Sequence, residues 1–127
     1  MKNSYILFLV FLSALILHLS GCGSEDSVTP TPETRNVVLS VPKDDSICPN
    51  QTLTFKWTTT TDNPDSSKLE IGQDLNFNFN TFTYYTRQRE YSLHPVGDSN
   101  YFYWRVTCYW VAAQHVATSS VNKFKIR

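Results

Sequence analysis

The sequence predicts an all-β domain of two packed sheets, and three observations predict it. After Arg35 the apolar residues alternate with polar ones instead of recurring every third or fourth position. Clusters of Gly, Pro, Asn, Asp and Ser punctuate those stretches, as turns require. About seven short strands then fit into some 90 residues, the spacing of an antiparallel sandwich.

The elements follow in order. Val37-Val38-Leu39-Ser40-Val41 is the first strand, stopped by Pro42, which has no N–H for a ladder. Residues 52–58 alternate cleanly, with Leu53, Phe55 and Trp57 on one face and Thr52, Thr54, Lys56 and Thr58 on the other. Residues 59–67 are a polar loop containing Asp62, Asn63 and Pro64. Residues 68–71 alternate again, Leu69 and Ile71 inward, Lys68 and Glu70 outward. A rim strand over 81–87, a short one over 90–93 and a long one over 101–110 come next, and 122–126 closes the set. On the long strand Phe102, Trp104, Val106 and Cys108 share a face. They are expected to meet Leu53, Phe55 and Trp57 of the opposite sheet, with Phe124 and Ile126 joining them. Each large apolar side chain buried contributes about 1.5–3 kcal/mol, enough for this cluster to fold the domain without a covalent staple.

The strand count is that of an immunoglobulin-like sandwich, and particular residues carry the likeness further. Trp57, Lys68-Leu69-Glu70-Ile71-Gly72-x-Asp74-x-x-Phe77, Tyr103-Trp104-Arg105-Val106 and Ser119-Ser120-Val121-x-x-Phe124 resemble fibronectin type III-like domains. They are closest to the version common in extracellular bacterial proteins. The resemblance covers most of residues 37–126 and implies a seven-stranded fold; on function it is nearly silent. One departure matters. Two residues before the Trp104 position the family usually has a tyrosine whose hydroxyl ties down the preceding corner, and here Phe102 stands there. Leu93-His94-Pro95-x-Gly97 otherwise matches that corner, whose hydrogen bond is lost or supplied by Tyr101.

Ahead of the domain, residues 1–21 read as a secretory leader: Lys2, an apolar stretch from Tyr5 to Leu19, then small residues. Leu19-Ser20-Gly21-Cys22 resembles the lipobox of bacterial lipoproteins, which implies an acylated Cys22 as the new N-terminus. An uncleaved signal anchor is the alternative, since about 20 apolar residues span a bilayer. Residues 22–35 are polar, carry Pro30 and Pro32, and read as a flexible tether in front of a domain at 36–127. Gly23 stands where the inner-membrane retention pattern of enteric bacteria has Asp, while Glu25 and Asp26 resemble short acidic surface-export signals. These features predict a lipid-anchored protein of the bacterial cell envelope, at the outer membrane and displayed on the cell surface, with an ordinary solvated linker as the plainer alternative.

Lys2 is the leader's one charged side chain, so residues 22–127 hold 10 Lys plus Arg against 11 Asp plus Glu. A nucleic-acid partner needs a basic face, so none is expected, and the membrane is reached through the lipid instead. With Cys22 acylated, Cys48 and Cys108 remain; they fall near opposite ends of strands running the same way, so two free, buried thiols are expected rather than a bridge. His94 and His115 have no metal-ligand spacing, and no nucleophile elbow, zincin motif or phosphate loop occurs. The expectation is a protein that is no enzyme and uses no cofactor or metal.

The outward aromatics supply the functional lead. If Phe102 and Trp104 point inward, then Tyr101, Tyr103 and Tyr109 point out, with Arg105 and Thr107 between them. Tyr84, Tyr85 and Trp110 fall at element edges. Exposed rings with polar neighbours suit a binding face, including one for sugar rings. Tyrosine is also a favoured strand residue, and Arg105 has Glu70 as a ready ionic partner, so simple cross-strand packing is the competing explanation. The predicted function is a non-catalytic spacer or protein-interaction module with an envelope protein as partner. The alternative is a glycan-binding accessory lipoprotein of a polysaccharide-uptake complex, although those resemble longer chains with dedicated carbohydrate domains.

Overall fold

A computed structural model describes residues 34–94 and 101–127. Among them are nine strands rather than the expected seven. They are β1 (Val37–Val41), β2 (Ser46–Cys48), β3 (Leu53–Thr59), β4 (Ser66–Gly72), β5 (Phe82–Thr86), β6 (Glu90–Leu93), β7 (Tyr101–Trp110), β8 (His115–Thr118) and β9 (Asn122–Ile126). A three-stranded sheet, β1-β3-β6, packs on a six-stranded one, β2-β9-β7-β4-β5, in which β8 also pairs with β7.

The two additional strands are those without a readable alternation. In β2 the apolar Ile47 is exposed and Cys48 is buried, and three residues are too few for a period. What makes β2 a strand is its partner: it pairs parallel with β9, Ser46 opposite Phe124 and Cys48 opposite Ile126. Strand β8 places Val116 in solvent and is held by the hairpin from β7. Gln114, at φ 49°, turns the chain, and its N–H donates to the Val111 carbonyl over 3.1 Å.

Strands β8 and β9 are two parts of one path beside β7, separated by a bulge. Thr107 lies opposite Thr118, but Trp104 lies opposite Asn122, which leaves one residue too many on the later strand. Ser119 fills the gap. Its N–H donates to the Val106 carbonyl over 2.9 Å, and its hydroxyl accepts from the Val106 N–H over 3.0 Å.

The core lies where the alternation put it. Phe55 is enclosed, meeting Trp104 edge-on at a centroid distance of 5.2 Å and Phe124 at 5.6 Å. Phe102 stacks on Phe124 at 5.5 Å, which gives the departure from the tyrosine pattern a packing role. The corner residues Pro95 and Gly97 lie outside the described residues.

Cys48 and Cys108 are both free and buried. Cys48 sits beside Ile126 at the Tyr101 end of β7, whereas Cys108 is seven residues farther along that strand. At about 3.3 Å per residue that is some 20 Å, far beyond disulfide reach. The Cys108 thiol lies 3.3 Å from the Ser67 hydroxyl, itself buried. Burial pushes the Cys108 thiol up from its ordinary value against the smaller opposing pulls of Ser67 and Trp57.

Candidate functional site

Strand alternation gives the six-stranded sheet an inner face in the core and an outer face in which cross-strand rows can be read from the register. Lys125 lies opposite Tyr101, Lys123 opposite Tyr103, and Tyr103 opposite Gly72. Arg105 lies opposite Glu70, Thr107 opposite Lys68, and Lys68 opposite Tyr85. Tyr109 lies between Ser66 and Val116.

Of the sequence-predicted face, Tyr101, Tyr103, Tyr109 and Tyr85 are on this outer side. Tyr101 and Tyr85 are exposed, while Tyr103 and Tyr109 are half-buried among their neighbours. Tyr84 is not with them. It lies opposite Leu69, packs against the core and stacks on Tyr91 at 4.9 Å, because adjacent residues of a strand point to opposite faces. Trp110 is also withdrawn. It is buried, and its indole N–H donates to the Asp62 carbonyl over 3.2 Å. Cys22 lies outside the described residues.

The centre of the face is an ion cluster. Arg105 Nε donates to Glu70 Oε2 over 2.9 Å, and Lys68 Nζ lies 3.3 Å from the same oxygen. Burial alone would raise the Glu70 carboxyl, but the hydrogen bonds and charges of Arg105 and Lys68 outweigh it and hold the group below its ordinary value. The Arg105 guanidinium also lies 4.2 Å from the centroid of the Phe77 ring.

Residues 73–80, after β4, fold back over this face. Gly72 allows the approach: a Cβ there would meet Thr81 Oγ1 at 3.0 Å and the Phe77 ring at 3.2 Å. The Asp74 carboxylate organises the loop by accepting from the backbone N–H groups of Asn76, Asn78 and Phe79 at 2.9, 2.9 and 2.6 Å. Gln73 N–H donates to the Phe79 carbonyl, and the Asn80 side chain donates to Gln73 Oε1 over 2.8 Å. Phe77 and Asn80 hold positive φ of 58° and 45° in this loop.

The loop and the sheet together form a groove of about 290 Å³ lined by Gln73, Phe79, Tyr101 and Tyr103. Phe79 is 62% exposed and Tyr101 51%. Lys123 Nζ and Lys125 Nζ lie 5.2 and 5.4 Å from the Tyr101 ring centroid. Lys123 is tied to Asp45 over 2.7 Å, and that hydrogen bond and charge raise its ammonium above the ordinary value. Gln73 and Phe79 escaped the sequence reading because they belong to a loop, where no alternation assigns a side chain to a face. The repeated Asn-Phe of Asn76-Phe77-Asn78-Phe79-Asn80 was the available signal.

A second hollow, about 320 Å³, lies between Arg35, Asp62, Asp65 and Trp110 at the other end of β7. Its charges are engaged in structure: Arg35 Nε is 3.5 Å from Asp62, and Asp65 accepts from the Val111 N–H over 2.6 Å. Among the described residues no group of three His, Cys, Asp or Glu is placed to hold a metal ion. No helix among them is long and apolar enough to cross a membrane.

No protein-family model matches the chain, and no curated protein matches it. Among solved structures it is similar to an engineered protein known from a crystal structure, with a TM-score of 0.61 over 76% of this chain at 14% identity. The match covers 21% of that protein, so this chain spans about a fifth of its length, and the likeness concerns fold alone.

Proposed function

We propose that the chain is a bacterial lipoprotein whose fibronectin type III-like domain is a non-catalytic docking module, held on the outer membrane by an acylated Cys22 and spaced from it by residues 22–35. The observation that carries the docking role is the open outer face of the six-stranded sheet. It presents Tyr85 and Tyr101 to solvent, with Ile47 and Val116 also exposed. Its acid, Glu70, is engaged by Arg105 and Lys68, which suits a rigid surface better than proton transfer. The lipid anchor rests on the Gly21-Cys22 junction after the apolar leader.

Two measurements test this. Intact mass of the membrane-extracted protein should include acyl chains that Cys22→Ser lacks; a wild-type protein without acyl mass overturns the anchor. Cross-linking on intact cells should recover an envelope protein through photo-reactive groups placed at Tyr85 or Val116. Recovery of no partner from either position overturns docking through this face.

A second reading is glycan capture at the cell surface, in the manner of an accessory protein to polysaccharide uptake. The groove between Phe79, Tyr101 and Tyr103 favours it, because sugar rings pack their apolar sides on aromatic planes.

A further inference from the structure

Deepening the glycan reading and resting on it, we infer that the groove is a subsite for a carboxylate-bearing sugar ring of an acidic glycan. Three features of the molecule converge there. The first is shape and lining. Phe79, Tyr101 and Tyr103 border a hollow of about 290 Å³, near the low end of the roughly 300–1,000 Å³ usual for small-molecule sites. Rings supply apolar planes, while the phenol hydroxyls and the Gln73 amide supply hydrogen-bonding groups for sugar hydroxyls. Gln73 Oε1 already accepts from Asn80, and its amide nitrogen has no bond among the described residues.

The second feature is rigidity. An exposed phenylalanine on a slack loop would collapse onto the nearest apolar surface. Phe79 is instead held out at 62% exposure by its own N–H on Asp74 and its carbonyl on Gln73. A backbone fixed in place before binding leaves less freedom to be lost when a ligand stacks on the ring it carries.

The third is charge. Lys123 and Lys125 both flank Tyr101, but Lys123 is neutralised by Asp45, whereas Lys125 has no carboxylate partner among the described residues. One cation without a carboxylate partner among the described residues therefore stands beside Tyr101, which borders the groove. Aromatic planes and amides alone would serve any sugar; the ammonium adds a preference for a uronate.

The test is native-gel affinity electrophoresis of the full chain in mild detergent, with sodium polygalacturonate as the acidic polymer and dextran as the neutral one. The wild-type protein is expected to be retarded in polygalacturonate at concentrations where dextran has little effect. Phe79→Ala and Tyr101→Ala should each weaken retardation about ten-fold, and Lys125→Gln should remove the preference for the acidic polymer. Phe79 and Tyr101 are exposed and Lys125 is half-buried, and near-ultraviolet circular dichroism checks that each variant keeps its core packing. Absence of retardation in both polymers overturns the subsite, while the cross-linking result for the docking face stands independently. Equal retardation in both overturns the preference for acid. Retardation in polygalacturonate that survives both aromatic substitutions is general charge attraction and overturns the groove as the site.

Discussion

Glu70 and Arg105 stand directly opposite one another on β4 and β7, and the guanidinium of Arg105 is held between the Glu70 carboxylate and the Phe77 ring. One side chain thus links the two central strands of the larger sheet to the loop that borders the groove. Arg105→Ala should remove about 1–2 kcal/mol of stability, read as a lower urea midpoint, because the charged hydrogen bond lies in a partly buried site. An unchanged midpoint would show that Lys68 alone satisfies the carboxylate.

The same acid predicts a pH dependence with a definite sign. The folded protein holds the Glu70 carboxyl below its unfolded value, so the unfolded chain takes up the proton first as pH falls. Its contribution is present above the ordinary carboxylate range and is lost as pH falls through the folded value. Glu70→Gln should be less stable than wild type at neutral pH, and the gap should narrow toward pH ~2. Urea titrations across that range check it; a constant gap would assign the loss to packing instead.

Phe55→Ala should be among the most damaging core changes. The ring touches both Trp104 and Phe124 and is fully enclosed. Truncation of such a ring costs about 3–5 kcal/mol, a large share of the stability of a domain this small. Chemical denaturation measures it, and a loss under about 1 kcal/mol would mean that the two sheets close over the cavity.

Cys48 and Cys108 should resist a thiol-specific disulfide reagent in the folded state and react once the chain is unfolded. Cys108 is fully enclosed against Ser67, and burial keeps its thiol protonated. Rapid reaction of Cys108 under native conditions would show that β7 and β4 open readily.

Asp74→Ala should leave the sandwich intact and release residues 76–79. Three backbone N–H groups lose their acceptor at once. Hydrogen exchange should accelerate at Asn76, Asn78 and Phe79 while Val106 and Trp104 stay protected. Retardation in polygalacturonate should fall alongside, since Asp74 acts by positioning Phe79. Faster exchange with unchanged binding would separate the loop from the subsite.

How much of this was legible depends on where each residue sits. Leu53, Phe55 and Trp57, or Phe102, Trp104 and Val106, disclosed their faces because a two-residue period has one solution once one face is buried. The same rule, applied to Tyr84-Tyr85, separates the two tyrosines that adjacency had grouped. Strand β2 stayed hidden because its pairing with β9 joins residues about 80 apart, and nothing local in Ser46-Ile47-Cys48 records that. Trp110 looked like an edge residue because Asp62, which receives its N–H, comes from a loop 48 residues earlier. The groove depends on Gly72 and Asp74, which bring a loop over a sheet. Those residues were visible as part of a family-like motif, but their effect on Phe79 exists only in three dimensions.

The parallel pairing of β2 with β9 has a mechanical consequence. Cys48 and Asn50 bracket Arg127, which donates its N–H to the Cys48 carbonyl over 2.9 Å and accepts from the Asn50 N–H over 3.1 Å. Suppose the chain is pulled from the side preceding β1 and from the side following β9. The two strands are then dragged in opposite directions along their common axis, and their hydrogen bonds share the strain together instead of parting one by one as in a peeled hairpin. Under such a pull the short strand that the sequence concealed is a shear latch, whose bonds to β9 must give way together.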